Sequence, residues 1–299
     1  MADRSGIARS GDLEIVYDEF GDADAPPVLM IMGLGAQMTL WREDFCREIA
    51  DQGHRVIRFD NRDVGLTTKL DGVRVTGPPL PVRLGRTFVG LPVPGAPYTL
   101  VDMADDARAV LDHLGIDRAH IVGASMGGMI TQIFAAEHAD RTLTATVVMS
   151  SNNQRFLPPP GPKQLLALIG PPPKDADRET RIAHTARVAR IIGSPVYPLP
   201  EDEALARSAA NYDRSYCPAG QIRQFAAIQG TGALVDYNRK TKAPTLVLHG
   251  THDRLMRPSG ARAIARAVAG ARLHMVEGMA HDLPEPLWDD ISGELAATF

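Results

Sequence analysis

AHIVGASMGGMITQIFAAEHAD, residues 119–140, decides how the rest of the chain reads. AHIVG (119–123) is a short apolar run ending in glycine, the pattern of a strand buried on both faces. Residues 126–140 carry the spacing of a helix. Gly123-Ala124-Ser125-Met126-Gly127 joins the two with no residue to spare. A serine on such a sharp strand-to-helix turn projects its hydroxyl from the sheet edge. The crowding of the turn demands small neighbours. The free N–H groups and positive end of the following helix point at the same place. A glycine-rich turn with a solvated serine shows the same five letters, but the strand before and the helix after favour the elbow.

Working outward, strand and helix patterns alternate. LEIVYDEFG (13–21), PVLMIMG (27–33) and HRVIRFD (54–60) read as strands, with a turn at 22–26. WREDFCREIADQG (41–53) places Trp41, Phe45, Ile49 and Ala50 at helical spacing, with Gly53 as a cap. Residues 67–97 are rich in Gly and Pro, show no sustained period, and exceed the usual connection length, so they read as a functional excursion. LVDMADDARAVLDHLG (100–115) follows as a helix, its Asp102, Asp105 and Asp106 expected on a solvated face. LTATVVMSS (143–151) is the next strand. From Asn152 to Lys242 the alternation stops. That block has proline runs at 157–162 and 170–174 and helical patterns at 175–193, 201–214 and 218–230. The alternation resumes with a strand at 243–250, a helix at 258–269, a strand at 271–278 and a helix over 286–299. The expectation is an α/β fold: a mostly parallel central sheet flanked by helices, with residues 1–151 and 243–299 as core and 152–242 as an inserted helical cap.

Composition narrows the function. The chain has 299 residues, 44% hydrophobic and 23% charged, so it is not a disordered chain and can bury a large core. Its net charge of −4 gives no broad basic field, which argues against nucleic acid or anionic membrane as main partner and for a small-molecule substrate. Cys46 and Cys217 are too few for a disulfide framework and read as free thiols in a reducing compartment. The N-terminal stretch lacks the apolar core of a secretion signal, and no apolar run reaches the roughly eighteen residues of a membrane span. A cytoplasmic location is expected.

A serine hydroxyl attacks only when a base takes its proton. His281, in EGMAHDLPEP after the last core strand, is the candidate, held out of helix by Pro284 and Pro286. An imidazole base needs an acid to set its tautomer and stabilise its cation. Asp253, in HGTHDRLMRP, follows a strand and falls on the rim where open α/β sheets build their sites. The order Ser125, Asp253, His281 is the one this architecture uses. Two donors must then hold an oxyanion: the N–H of Met126 and the N–H of Leu34, in Met32-Gly33-Leu34-Gly35 after strand 27–33. His249, His252 and Asp253 lack a neighbouring third His or Cys for zinc, so no metal and no cofactor is expected, and His249 reads as packing at the strand end. Met38 and Trp41, near the oxyanion loop, are candidate substrate contacts. Phe156, Tyr212, Tyr216 and Phe225 read as packing of the helical block.

Together these features resemble the α/β-hydrolase superfamily. MIMGLG (30–35), RFDNRDVGLTT (58–68) and VGASMGGMITQ (122–132) are most similar to the aclacinomycin methylesterase-like carboxylic ester hydrolases. In that resemblance Asp60 and Arg62 belong to a structural turn. Met32 departs from the histidine many relatives carry there, which should leave the backbone donor intact and change how the loop is anchored. The resemblance implies a serine hydrolase cleaving small to medium, mostly apolar esters through an acyl-enzyme. Lactonases, perhydrolases and C–C bond hydrolases of ring-cleavage products use the same triad. A non-enzymatic binding module of this fold commonly loses a triad member. The serine separates the chain from branches that attack with aspartate, and Met126 stands where proline iminopeptidases tend to carry tryptophan.

Overall fold

Strands Pro27–Ile31 and Arg55–Phe59 show why the sheet is buried on both sides. In the first, Val28, Leu29, Met30 and Ile31 are all fully buried. Alternate residues of a strand face opposite ways. Leu29 and Ile31 join Ile57, Phe59 and Ile121 in one apolar cluster, and Val28 and Met30 join Val56 and Val122 in another. Covered faces on both sides leave no place for a polar alternation.

The computed structural model describes residues 1–170 and 172–299. In chain order the strands are β1 (Arg4–Ser10), β2 (Leu13–Phe20), β3 (Pro27–Ile31), β4 (Arg55–Phe59), β5 (Ala119–Ala124), β6 (Thr142–Val148), β7 (Thr245–Gly250) and β8 (Arg272–Val276). They form one sheet in the order β1-β2-β4-β3-β5-β6-β7-β8, antiparallel for β1–β2 and β2–β4 and parallel for the rest. The helices are α1 (Glu43–Asp51), α2 (Leu80–Phe88), α3 (Leu100–His113), α4 (Met126–Glu137), α5 (Pro162–Ile169), α6 (Arg178–Ile192), α7 (Glu201–Arg214), α8 (Pro218–Thr231), α9 (Val235–Lys240), α10 (Pro258–Ala267) and α11 (Trp288–Ala296). Met103 of α3 and Ile130 and Phe134 of α4 cover one face of the central strands. Phe45 and Ile49 of α1 and Trp288 and Ile291 of α11 cover the other. Each such side chain contributes about 1.5–3 kcal/mol by leaving water. Helices α5 to α9 lie between β6 and β7 in the chain. Among the described residues no helix is long and apolar enough to cross a membrane.

Several elements differ from the sequence expectation, each for a physical reason. Strand β1 has little apolar alternation because it is an edge strand that buries Ala8 and leaves Ile7 half exposed. Helix α2, inside the 67–97 excursion, is only nine residues long and sets Leu80, Leu84 and Phe88 one turn apart without burying them, so its short stripe was lost among the flanking glycines and prolines. Helix α5 starts at Pro162, where the proline run supplies a first helical residue that needs no N–H partner. Pro171, in the second run, lies outside the described residues. The last helix begins at Trp288 rather than 286, after a short 3-10 turn at Glu285–Leu287. The acidic face of α3 is corrected in part. Asp106 is fully buried and accepts two bonds from the Arg62 guanidinium, at 2.6 and 2.8 Å. Asp102 caps its own helix, accepting from the N–H of Thr99 at 2.7 Å.

Candidate active site

The elbow is built by sterics. Ser125 lies between β5 and α4 with φ +57° and ψ −117°, a backbone state costly for any residue with a side chain. The turn survives because Gly123, Gly127 and Gly128 lack one. A Cβ on Gly123 would stand 2.2 Å from the Gly127 carbonyl oxygen and 2.3 Å from Thr131 Oγ1. One on Gly128 would come within 2.7 Å of Ser150 Cβ. The Ser125 N–H donates to the Val148 carbonyl at 2.9 Å, and Ser150 Oγ donates to the Ser125 carbonyl at 2.7 Å. The serine is therefore pinned on both sides of its Cα.

The three residues read as base, acid and nucleophile meet there. His281 Nε2 is 3.0 Å from Ser125 Oγ, and His281 Nδ1 is 2.8 Å from Asp253 Oδ2. A carboxylate oxygen accepts, so Nδ1 carries the proton and Nε2 presents its lone pair to the hydroxyl. The other oxygen of Asp253 accepts from the N–H groups of Leu255 and Met256 at 2.8 and 2.9 Å. The acid is buried and held from both sides. The histidine segment reaches it across Gly250, where a Cβ would meet the Met279 carbonyl oxygen at 2.2 Å. His249, fully buried behind the acid, lies with Nε2 3.6 Å from Asp253 Oδ2 and 2.5 Å from the Met256 carbonyl oxygen. Burial holds its pKa below the ordinary imidazole value. It packs at the end of β7, as its position in the sequence suggested.

The loop after β3 passes beside the serine. A Cβ on Gly33 would be 3.1 Å from Ser125 Cβ and 3.5 Å from its Oγ, so the backbone of this loop passes close against the serine. Leu34 follows it, and Leu34 and Met126 border the same cavity as Ser125 and His281. Met126 is the first residue of α4, so its N–H has no intrahelical acceptor. The Met32 carbonyl accepts from Asn61 Nδ2 at 2.9 Å, while the residue itself joins the core. Here the loop is anchored through its backbone. Asp60 also acts structurally: Oδ1 accepts from the Met38 N–H and Oδ2 from the Leu66 N–H, both at 2.8 Å.

The cavity over the serine measures about 1470 Å³ and is mostly apolar. Ala189, Ile192, Phe225 and Ile228 line it from α6 and α8, and Leu84 and Thr87 from α2, so the 67–97 excursion reaches it too. The assignment of Met38 and Trp41 to the substrate pocket is corrected. Both are buried, and neither borders the cavity; Thr39, Leu40 and Arg42 do. Trp41 turns inward, with its ring stacked 6.3 Å from that of Phe45. Among the four aromatics of residues 152–242 read as packing, Phe225 faces the cavity, whereas Tyr212 and Tyr216 pack on each other at 4.7 Å and Phe156 on Phe88 at 5.6 Å. Sequence reasoning missed the polar side chains of α7 and α8 that reach the loop after β3. Gln224 is 189 residues from its partner Gly35, and no local pattern marks such a pair.

Comparison with known proteins identifies the family and the fold. The alpha/beta hydrolase fold family model matches residues 26–285. Rhodomycin D methylesterase of Streptomyces peucetius is 24% identical, over 93% of this chain and 92% of that protein. The crystal structure of the enol-lactonase from Burkholderia xenovorans LB400 superposes with a TM-score of 0.72 at 22% identity, covering 98% of this chain and 99% of the other. An esterase from Exiguobacterium antarcticum superposes with a TM-score of 0.75 at 20% identity, covering 98% of each chain. The chain belongs to the alpha/beta hydrolase fold family, a fold of hydrolytic enzymes.

Proposed function

We propose that this enzyme is a serine hydrolase that cleaves carboxylic esters through an acyl-enzyme. The observation that carries the reading is the continuous chain from Ser125 Oγ to His281 Nε2 at 3.0 Å and from His281 Nδ1 to Asp253 at 2.8 Å. His281 takes the serine proton as Oγ attacks the ester carbonyl carbon. The N–H groups of Leu34 and Met126 receive the charge that develops on the carbonyl oxygen. His281 returns the proton to the departing alcohol. It then activates water to release the acid and restore Ser125. Every step uses groups of the chain and water. A relative named as a methylesterase, alignable over 93% of this chain, supports the ester reading.

The cavity bears on the substrate. Ligand sites commonly measure about 300–1,000 Å³, and this one is about 1470 Å³. A mostly apolar substrate fits the walls, and the volume extends the size range beyond the small and medium esters that the sequence suggested. In this reading residues 152–242 form the cap, their helices facing the triad, while 1–151 and 243–299 form the core. The test is a panel of p-nitrophenyl esters of rising bulk, lactones and a ring-cleavage dienone, run on the wild type and Ser125→Ala. Turnover of esters should fall by about 10³-fold or more in the variant, and a fluorophosphonate should label only the wild type, at Ser125. A variant hydrolysing esters at the wild-type rate would sink the mechanism.

A further inference from the structure

The oxyanion loop is held from outside the core. The Gly35 N–H donates to Gln224 Oε1 at 2.8 Å, and Gln224 Nε2 donates to the Arg62 carbonyl at 2.8 Å. Gln224 is fully buried in α8, and it does not border the cavity. Both ends of its amide are therefore committed, one to the loop after β3 and one to the turn after β4. The contact is close: Gly35 has φ +65°, and a Cβ there would stand 2.9 Å from Gln221 Cγ of the same helix. Further along, Gln37 Nε2 donates to the carbonyl oxygens of Asn211 and Ser215 at 2.6 and 2.9 Å, and Thr39 Oγ1 donates to Asn211 Oδ1 at 2.7 Å. Of these holds, the Gln224 bond lies nearest the working donor, because Gly35 directly follows Leu34.

We propose that Gln224 is a positioning residue that aims the Leu34 N–H at the oxyanion, a role that rests on the serine-hydrolase reading. Two neighbouring residues with fixed backbone leave the intervening peptide little freedom. Gly33 is fixed by its approach to Ser125, and Gly35 is fixed by Gln224. Without the glutamine oxygen the Gly35 N–H, part-buried at the cavity wall, loses the one protein acceptor that sets its direction, and the loop is free to turn. An oxyanion donor contributes only in the transition state, so its misplacement reads in kcat.

The experiment compares Gln224→Met, which has similar length and no hydrogen bonds, with Gln224→Glu, which keeps the acceptor for Gly35 and loses the donor to Arg62. Ile222→Ala, on the exposed side of α8, is the control. Four quantities are read: kcat and KM on a p-nitrophenyl ester, Ki for a trifluoromethyl ketone that forms an oxyanion on Ser125, and amide exchange of the peptide spanning 33–38. Gln224→Met should lose about 10- to 100-fold in kcat with KM within about threefold. Its Ki should weaken by the same factor, and its loop amides should exchange faster. Gln224→Glu should keep most of kcat even if its Tm falls, which separates the aim of the loop from the packing of α8. If Gln224→Met does not fold, Gln224→Asn, too short to span both partners, takes its place in the same comparison. A folded variant with wild-type kcat and Ki overturns the proposal. So does a loss confined to KM, or Gln224→Glu falling as far as Gln224→Met. A wild type inert to every ester and to fluorophosphonate removes the serine-hydrolase reading and this role with it. An active wild type with an unchanged variant removes this role alone.

Discussion

Gly127 rests so closely on Ile31 that a Cβ added to it would stand 2.0 Å from the Ile31 carbonyl oxygen. The contact joins the first turn of α4, just after Ser125, to the end of β3, the strand that leads into the loop at Gly33. Backbone atoms at such a contact have no rotamer to yield with. Gly127→Ala should therefore destabilise the enzyme by about 1–3 kcal/mol or more, the cost of overpacking a tight core. Gly293 offers the opposite case: it lies exposed in α11, and a Cβ placed on it would meet nothing within 4 Å. Gly293→Ala should stabilise by about 0.5–1 kcal/mol through helix propensity and a less flexible unfolded chain. Urea midpoints of the two variants, compared at equal m-value, check the pair. Equal shifts for both would contradict the steric account.

The Asp253 carboxylate accepts every hydrogen bond it makes, from His281 Nδ1 and from the N–H groups of Leu255 and Met256. An asparagine cannot accept at both ends. Asp253→Asn should turn its NH2 toward an N–H or force the wrong histidine tautomer, and kcat should fall by about 10⁴-fold. Steady-state kinetics on an activated ester measures this, and a loss below tenfold would mean that His281 does not depend on this acid.

The two thiols should differ sharply in reactivity. Cys46 is buried, and burial pushes its pKa up to about 12, so almost no thiolate exists at pH 8. Cys217, at the start of α8, is partly exposed. Titration of the folded protein with a disulfide reagent should show one thiol reacting promptly and the second only after denaturation. Two prompt thiols would show that the contacts around Cys46 open readily.

Acid should weaken the fold through His120. This side chain is 5% exposed, bonded through Nδ1 to Thr144 Oγ1 at 2.9 Å, with its ring 4.6 Å from that of Phe299. Burial lowers its pKa from 6.5 to about 4. The unfolded chain therefore binds the proton first. The stabilisation is complete above pH 6.5 and is lost as the pH falls toward 4, with a slope of at most about 1.4 kcal/mol per pH unit from this group. Asp282 has the opposite sign: burial raises its pKa, so its contribution favours the fold at low pH and fades as pH rises. Denaturant midpoints across pH 4 to 7 should show a slope that His120→Gln reduces. An unchanged slope in that variant would assign the acid sensitivity elsewhere.

What could be read from the chain alone was set by neighbours in sequence. The elbow was legible because Ser125 and the glycines it needs, Gly123, Gly127 and Gly128, lie within a few residues of one another, although Ile31 and Ser150, which crowd the last two, do not. The central strands were legible because burial on both faces leaves an unbroken apolar run, and Asp253 and His281 because each follows a strand at the working rim of the sheet. The edge strand β1 was not, since it buries too little to leave a period, and helix α2 was not, since its short stripe of Leu80, Leu84 and Phe88 stands among glycines and prolines. Only the folded chain decided which side chains meet across long separations. Trp41 turned into the core and away from the cavity, Asp106 went under Arg62, and Gln224 crossed to Gly35. The physical reason is one of range. Sterics and periodicity act between residues close in sequence, whereas the direction a side chain takes in a packed interior depends on every element pressed against it.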